Sequence, residues 1–355
     1  MANQVNGKFK IVLLKHGYAS VADERRIVTA AGGEFINAED CSEADALRLS
    51  EEADGILVRW LKITPELIKG FRRCQIIIRY GVGTDNVDVN AATAAGIMVG
   101  HIPTYCLDEV SNHAIALWLA CVRNLTGTHR KIETGGWDVN PVEPIFRTAD
   151  RTMGLVGFGN IGQAVARKMG GWRMRLLASD PFVDPARAEA LGVKLVDLDT
   201  LCRESDYVSL HVPLLPETRH LIGKRELALM KRGTILVNTA RGPVLDTQAL
   251  MVALDDGHLA RAGLDVFEAE PPPLDSPLRK HSRVTLTDHV AWYSEESQIE
   301  LKITAAEEAV RVCTGGLPQS LANPEVLERL GRSTEWTPND TVRWQLKRLE
   351  KLKRG

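Results

Sequence analysis

The chain has 355 residues, 44% hydrophobic, 25% charged and 5% aromatic, enough for about two domains with sizeable cores. A formal net charge of −2 offers no global attraction to nucleic acid or an anionic membrane, so a small anionic ligand would need local cations. No stretch reaches membrane-spanning length, and the six cysteines (41, 74, 106, 121, 202 and 313) form no CxxC pair and no zinc spacing. The expectation is a cytoplasmic protein with reduced thiols and no metal.

Short apolar runs alternate with helical patterns along most of the chain, the mark of parallel sheets covered by helices. Residues 10–14, 55–58 and 75–79 read as buried strands, with helices near 22–31 and 64–71. A longer helix runs from about Asp108 to Arg123, with Val110, Ala114, Leu117 and Cys121 at helical spacing. A turn-rich connection holding Gly135, Gly136, Pro141 and Pro144 follows. A second α/β series then places strands at 153–157, 175–179, 207–211, 234–238, 262–265 and 284–286, closed by a helix over about 294–313. Thr341 to Lys353 reads as a basic amphipathic helix, better suited to docking on protein than to touching nucleic acid in a chain without a basic domain.

Gly157-Phe158-Gly159-Asn160-Ile161-Gly162 is a GxGxxG that follows an apolar strand and opens a helix with Ala164, Val165 and Ala166. Such glycines permit a tight turn and let a pyrophosphate approach N–H groups at a helix start. Asp180, 18 residues beyond Gly162 and at the end of the next strand, stands where an acid binds ribose hydroxyls. Its charge would repel a 2′-phosphate, and 181–184 supply no arginine, so NAD is expected over NADP.

Three later segments put polar residues just after apolar strands, where open α/β sheets bind ligands: Asn238 to Gly242, Gly263 to Pro271, and Asp288 to Trp292. Reducing a 2-keto acid needs a cation for the carboxylate, an acid for the developing alkoxide, and a carboxylate to fix that acid's tautomer and raise its pKa. Arg241, His289 and Glu270 are of these types. Singly, each has a plainer reading as a surface charge, a loop or capping histidine, and a solvated carboxylate.

Together with the glycine loop, these segments resemble the D-isomer-specific 2-hydroxyacid dehydrogenase family, from about residue 10 to Asn323. The resemblance implies an Arg241–Glu270–His289 catalytic site between two domains, with glutamate at 270 rather than 268. It implies a substrate loop at Arg79, Tyr80, Gly81, Val82 and Gly83. Thr239, Asp265 and His289 would line the nicotinamide end of NAD, Val212, Pro213 and Thr218 the adenine and ribose side, and Ala240 and Arg241 would also bind the cofactor. Arg79 and Trp292 liken the chain to the C-terminal-binding-protein branch, where matching residues line the substrate pocket.

The fold expected is α/β, two Rossmann/flavodoxin-like domains with parallel sheets, the cofactor domain (107–296) inserted in the substrate domain (1–106 and 297–330), with a basic helical tail over 331–355. The function expected is NAD-dependent reduction of hydroxypyruvate, glyoxylate or a bulkier 2-keto acid by a homodimer. The rival is an NAD-sensing, corepressor-like binding protein, since that branch keeps the same three residues. Formate dehydrogenase is disfavoured because that relative carries glutamine where Glu270 stands.

Overall fold

A computed structural model describes residues 9–40, 42–138, 144–332 and 336. The chain divides into two compact units, Met1–Tyr105 with Ser294–Gly355, and Cys106–Tyr293.

The first unit alternates β1 (Lys10–Leu14), α1 (Ala22–Ala30), β2 (Glu34–Ala38), α2 (Glu43–Ser50), β3 (Gly55–Val58), α3 (Pro65–Gly70), β4 (Ile76–Arg79), α4 (Val89–Ala94) and β5 (Met98–His101). Its five parallel strands lie in the order β2-β1-β3-β4-β5, that of a flavodoxin-like sheet. Ile76, Ile77 and Ile78 are fully buried, as a parallel strand covered on both faces requires. The register sets Leu14 beside Val58, Val58 beside Arg79 and Arg79 beside His101, so the strands end level. His16, Glu39, Arg59, Tyr80 and Ile102 therefore follow along one edge of the sheet.

The second unit holds α5 (Leu107–Val122), α6 (Leu125–Glu133), β6 (Thr152–Val156), α7 (Asn160–Met169), β7 (Arg175–Ser179), α8 (Pro185–Glu189), β8 (Val193–Leu195), α9 (Leu198–Glu204) and β9 (Tyr207–Leu210). It continues with α10 (Lys224–Leu229), β10 (Thr234–Asn238), α11 (Thr247–Asp255), β11 (Leu259–Leu264) and β12 (Val284–Leu286). Its seven parallel strands run β12-β11-β10-β9-β6-β7-β8, a Rossmann order that reverses between β6 and β9. One apolar cluster groups Leu210, Leu236, Leu250 and Leu254, and another Trp118, Leu155, Phe158 and Val237.

The chain then re-enters the first unit through α12 (Glu295–Cys313), which Ser294 caps by accepting from Ser297 N at 2.9 Å. Ahead of α13 (Val326–Arg329), the segment around Leu321 covers the open side of β5. Ala322 N donates to Val99 O at 2.8 Å, and buried Asn323 accepts from Val99 N while donating to Ile97 O and Thr93 Oγ1.

The structure adds strands that the sequence does not mark. β2 and β8 sit at the sheet edges with partly exposed residues, and β5 carries Gly100 and His101 in place of an apolar run. α6 falls just before the turn-rich connection; it buries none of its residues, and its large apolar side chains, Leu125 and Ile132, are exposed. The strand expected over 153–157 stops at Val156, because Gly157 turns to φ +92°. The helix expected over 341–353 and Cys41 lie outside the described residues.

Cys74, Cys106, Cys121, Cys202 and Cys313 are buried. Among the described residues no helix is long and apolar enough to cross a membrane, and no cluster of His, Cys, Asp or Glu could hold a metal.

Candidate functional site

The glycine loop joins β6 to α7, and its glycines answer different steric demands. A Cβ on Gly157 would lie 2.8 Å from the His211 carbonyl, and one on Gly162 would lie 2.4 Å from Gly157 O. At Gly159, the N-cap of α7, a Cβ would meet nothing within 4 Å and no side chain caps the helix. The loop thus presents an open backbone face and helix N–H groups, the cradle a pyrophosphate needs. Asn160 and Ile161 form the first turn of α7. Asp180, just past β7, accepts from Phe158 N through Oδ2 and from Phe182 N through Oδ1, both at 2.9 Å. It braces the loop, while its remaining lone pairs can still accept from ribose hydroxyls. These residues fit a dinucleotide.

Val212 and Pro213 follow β9. The Thr218 hydroxyl donates to Pro213 O at 2.6 Å and accepts from Leu215 N at 2.8 Å, so it shapes its own turn. His211 was not singled out from the sequence. Both its ring nitrogens are buried without a hydrogen-bond partner, and burial pushes its pKa down to about 4.

Arg241, Glu270 and His289 emerge beyond the ends of β10, β11 and β12, three adjacent strands. Asn238 turns the first loop by accepting from Ala240 N and donating to Arg241 O, both at 3.0 Å. Arg241 Nη1 donates to Ala240 O at 2.8 Å. A Cβ on Gly242 would fall 1.9 Å from the Phe267 carbonyl, so the arginine turn seats directly on the backbone of the glutamate loop. Glu270 Oε1 accepts from Phe267 N at 3.0 Å, and Oε2 meets His289 Nδ1 at 2.6 Å. Burial works to raise the Glu270 carboxyl, but the His289 hydrogen bond and charge, the Phe267 amide and Arg241 hold it below its usual value. Glu268 is engaged elsewhere, with His220 at 3.1 Å and Thr247 N at 2.9 Å.

Behind His289 stands Asp265, 1% exposed. Its carboxylate accepts from Thr287 Oγ1 at 2.6 Å, Val290 N at 3.0 Å and Ala291 N at 3.1 Å. The Thr287 proton faces Asp265, so the same oxygen accepts from His113 Nε2 at 2.9 Å. His113, on α5, carries no sequence signal linking it to this loop. Thr239 at the tip of β10 has a buried hydroxyl without a protein partner, as a ligand-facing group would. Trp292 is partly buried and edge-on to Tyr293, ring centroids 5.4 Å apart.

Arg79 closes β4 in the first unit, and Tyr80 to Gly83 follow it. A Cβ on Gly81, at φ +128°, would fall 1.9 Å from Arg79 Nη1, so the guanidinium folds over its own loop. Tyr80 is buried and donates to Glu24 Oε1 at 3.3 Å.

A profile described as D-isomer specific 2-hydroxyacid dehydrogenase, NAD binding domain, matches residues 115–291. A glyoxylate reductase of Korarchaeum cryptofilum is 41% identical over 75% of this chain and 81% of its own length. A D-3-phosphoglycerate dehydrogenase of Archaeoglobus fulgidus is 40% identical over 77% of this chain, which spans only 52% of that relative. Among solved structures, the D-lactate dehydrogenase of Aquifex aeolicus with NAD and lactic acid matches at TM-score 0.77 and 27% identity, covering 86% of this chain and 96% of that one.

Proposed function

The chain belongs to the D-isomer-specific 2-hydroxyacid dehydrogenase family of NAD-dependent oxidoreductases, and we propose that it reduces a small 2-keto acid, with glyoxylate or hydroxypyruvate foremost. The observation carrying this reading is the 2.6 Å contact between His289 Nδ1 and Glu270 Oε2, with the Arg241 turn seated on the same loop.

NADH, when bound, supplies the hydride. Arg241 would hold the substrate carboxylate with two parallel hydrogen bonds. Glu270, kept ionised, holds the proton on Nδ1 and leaves Nε2 of the imidazolium to protonate the alkoxide oxygen. His289 would give its proton to the carbonyl oxygen as the 2-hydroxy acid forms. Arg79 and the 81–83 amides would form a further carboxylate-binding segment, and Trp292 a wall for the side chain. Arg79 and Trp292 also support the C-terminal-binding-protein-like placement. A homodimer belongs to the same reading, supported by exposed Leu125, Ile132 and Trp137.

A second reading, a substrate with a second anionic group, is favoured by Arg59. Its guanidinium follows β3 on the same sheet edge, over the Tyr18 ring at 4.5 Å and the Trp60 ring at 4.4 Å. NADH oxidation with glyoxylate, hydroxypyruvate, 3-phosphohydroxypyruvate and an aromatic 2-keto acid tests these readings. Turnover of none, with NADH still bound, would favour an NAD-sensing binding protein instead.

A further inference from the structure

The Arg79–Gly83 segment is anchored from the end of the neighbouring strand. Gly81 O accepts from Ile102 N at 3.0 Å, and Val82 O accepts from His101 Nδ1 at 2.7 Å. A carbonyl brings no proton, so Nδ1 carries the hydrogen and Nε2 is left as acceptor. Ser320 Oγ lies 2.8 Å from that Nε2, and its hydroxyl therefore donates. His101 is 5% exposed and Ser320 4%. Burial pushes the imidazole down to about 4, so the neutral tautomer persists at neutral pH.

This chain of bonds has a directional effect. Across a trans peptide, the carbonyl and the following N–H point opposite ways. Holding the Gly81 and Val82 carbonyls toward the end of β5 turns the amides of Val82 and Gly83 away from it, one after the other. Successive N–H groups turned together make a concavity for an anion.

We infer that His101 and Ser320 are positioning residues that aim the Val82 and Gly83 amides at the substrate carboxylate. The inference rests on the proposal that this loop binds that carboxylate. A residue that merely filled space at 101 would serve equally well with an apolar ring. A positioning residue must keep a donor facing Val82 O.

Three variants of the full chain test it, with glyoxylate or the best substrate of the panel. His101→Phe keeps a ring and deletes both bonds, Ser320→Ala removes only the outer donor, and His101→Asn returns a donor near the Nδ1 position. A lost buried hydrogen bond predicts a KM raised about tenfold in His101→Phe, kcat within about threefold, and a smaller KM rise in Ser320→Ala. NADH affinity should be unchanged in both, and His101→Asn should recover most of the KM. If His101→Phe does not fold, Ser320→Ala and His101→Asn carry the comparison. An unchanged KM in the folded variants, or losses in KM, kcat and NADH affinity together, overturns the positioning role. Arg79→Ala in parallel separates the two layers. A raised KM there with inert His101 and Ser320 variants removes only this inference, whereas an unchanged KM removes the carboxylate loop itself.

Discussion

Asp265 and His289 are joined through the backbone, His289 N donating to Asp265 O at 2.8 Å, while the Asp265 carboxylate gathers the residues on either side of the histidine. His289 itself is in the left-handed region at φ 57°, a conformation a non-glycine residue holds only when its surroundings impose it. Asp265→Asn would turn an amide N–H₂ toward one of three donors. The expected result is a loss of about 1–3 kcal/mol in stability together with at least about a tenfold fall in kcat. Melting temperature and kcat measured side by side check this, and a variant unchanged in both would show that the loop holds itself.

His289→Gln should cost roughly 10² to 10⁴ in rate while NADH binding is kept. Glu270→Gln removes the negative charge that supports the proton on His289, so keto-acid reduction should fade at lower pH than in the parent. An unmoved pH profile in Glu270→Gln would exclude that carboxylate from the proton transfer. With hydroxypyruvate or a bulkier 2-keto acid, the product should be the D (R) alcohol, which chiral chromatography reads directly.

Asp180 braces the glycine loop, and in the proposed reading its charge would repel a 2′-phosphate. NADH should be preferred over NADPH by about tenfold or more in kcat/KM. Asp180→Ala should narrow that gap and also weaken NADH binding, because the Phe158 and Phe182 amides lose their acceptor. Equal use of both cofactors by the parent would refute the reading.

Trp292→Ala should reduce kcat/KM for an aromatic 2-keto acid by about 1–3 kcal/mol more than for glyoxylate, the scale of apolar pocket discrimination. Parallel losses on both substrates would make Trp292 a packing residue.

His101 and His211 are each held by burial near 4, against a usual 6.5. Between those values the unfolded chain takes protons that the folded one refuses, so stability present above pH 6.5 is lost as pH falls toward 4. The loss is at most roughly 3 kcal/mol per histidine. Urea midpoints taken from pH 7.5 to 4.5 should fall; a flat series would contradict the burial of both rings.

Much of this was legible where one residue type answers one physical demand. The β10 strand Thr234–Asn238 is a solid apolar run, and the Gly157 loop has the spacing that backbone approach imposes. Glu270 and His289 were legible as chemical types, but their meeting depends on where two loops fold. The Asp265 bonds to Val290 and Ala291 span 25 and 26 positions, the His113 contact with Thr287 174, and the His101–Ser320 bond 219. No periodicity encodes such pairs. The β5 strand was missed for a related reason: its partner on the open side is supplied by residues more than 200 positions later.

That late partner bears on how the chain can be shortened. Leu321 and Asn323 occupy hydrogen-bonding positions along β5 that would otherwise face outward as an unpaired strand edge, a template on which other chains can assemble. A version trimmed after Asn323 keeps that edge closed. A version trimmed before Leu321 keeps every strand of both sheets yet exposes a ready site for aggregation.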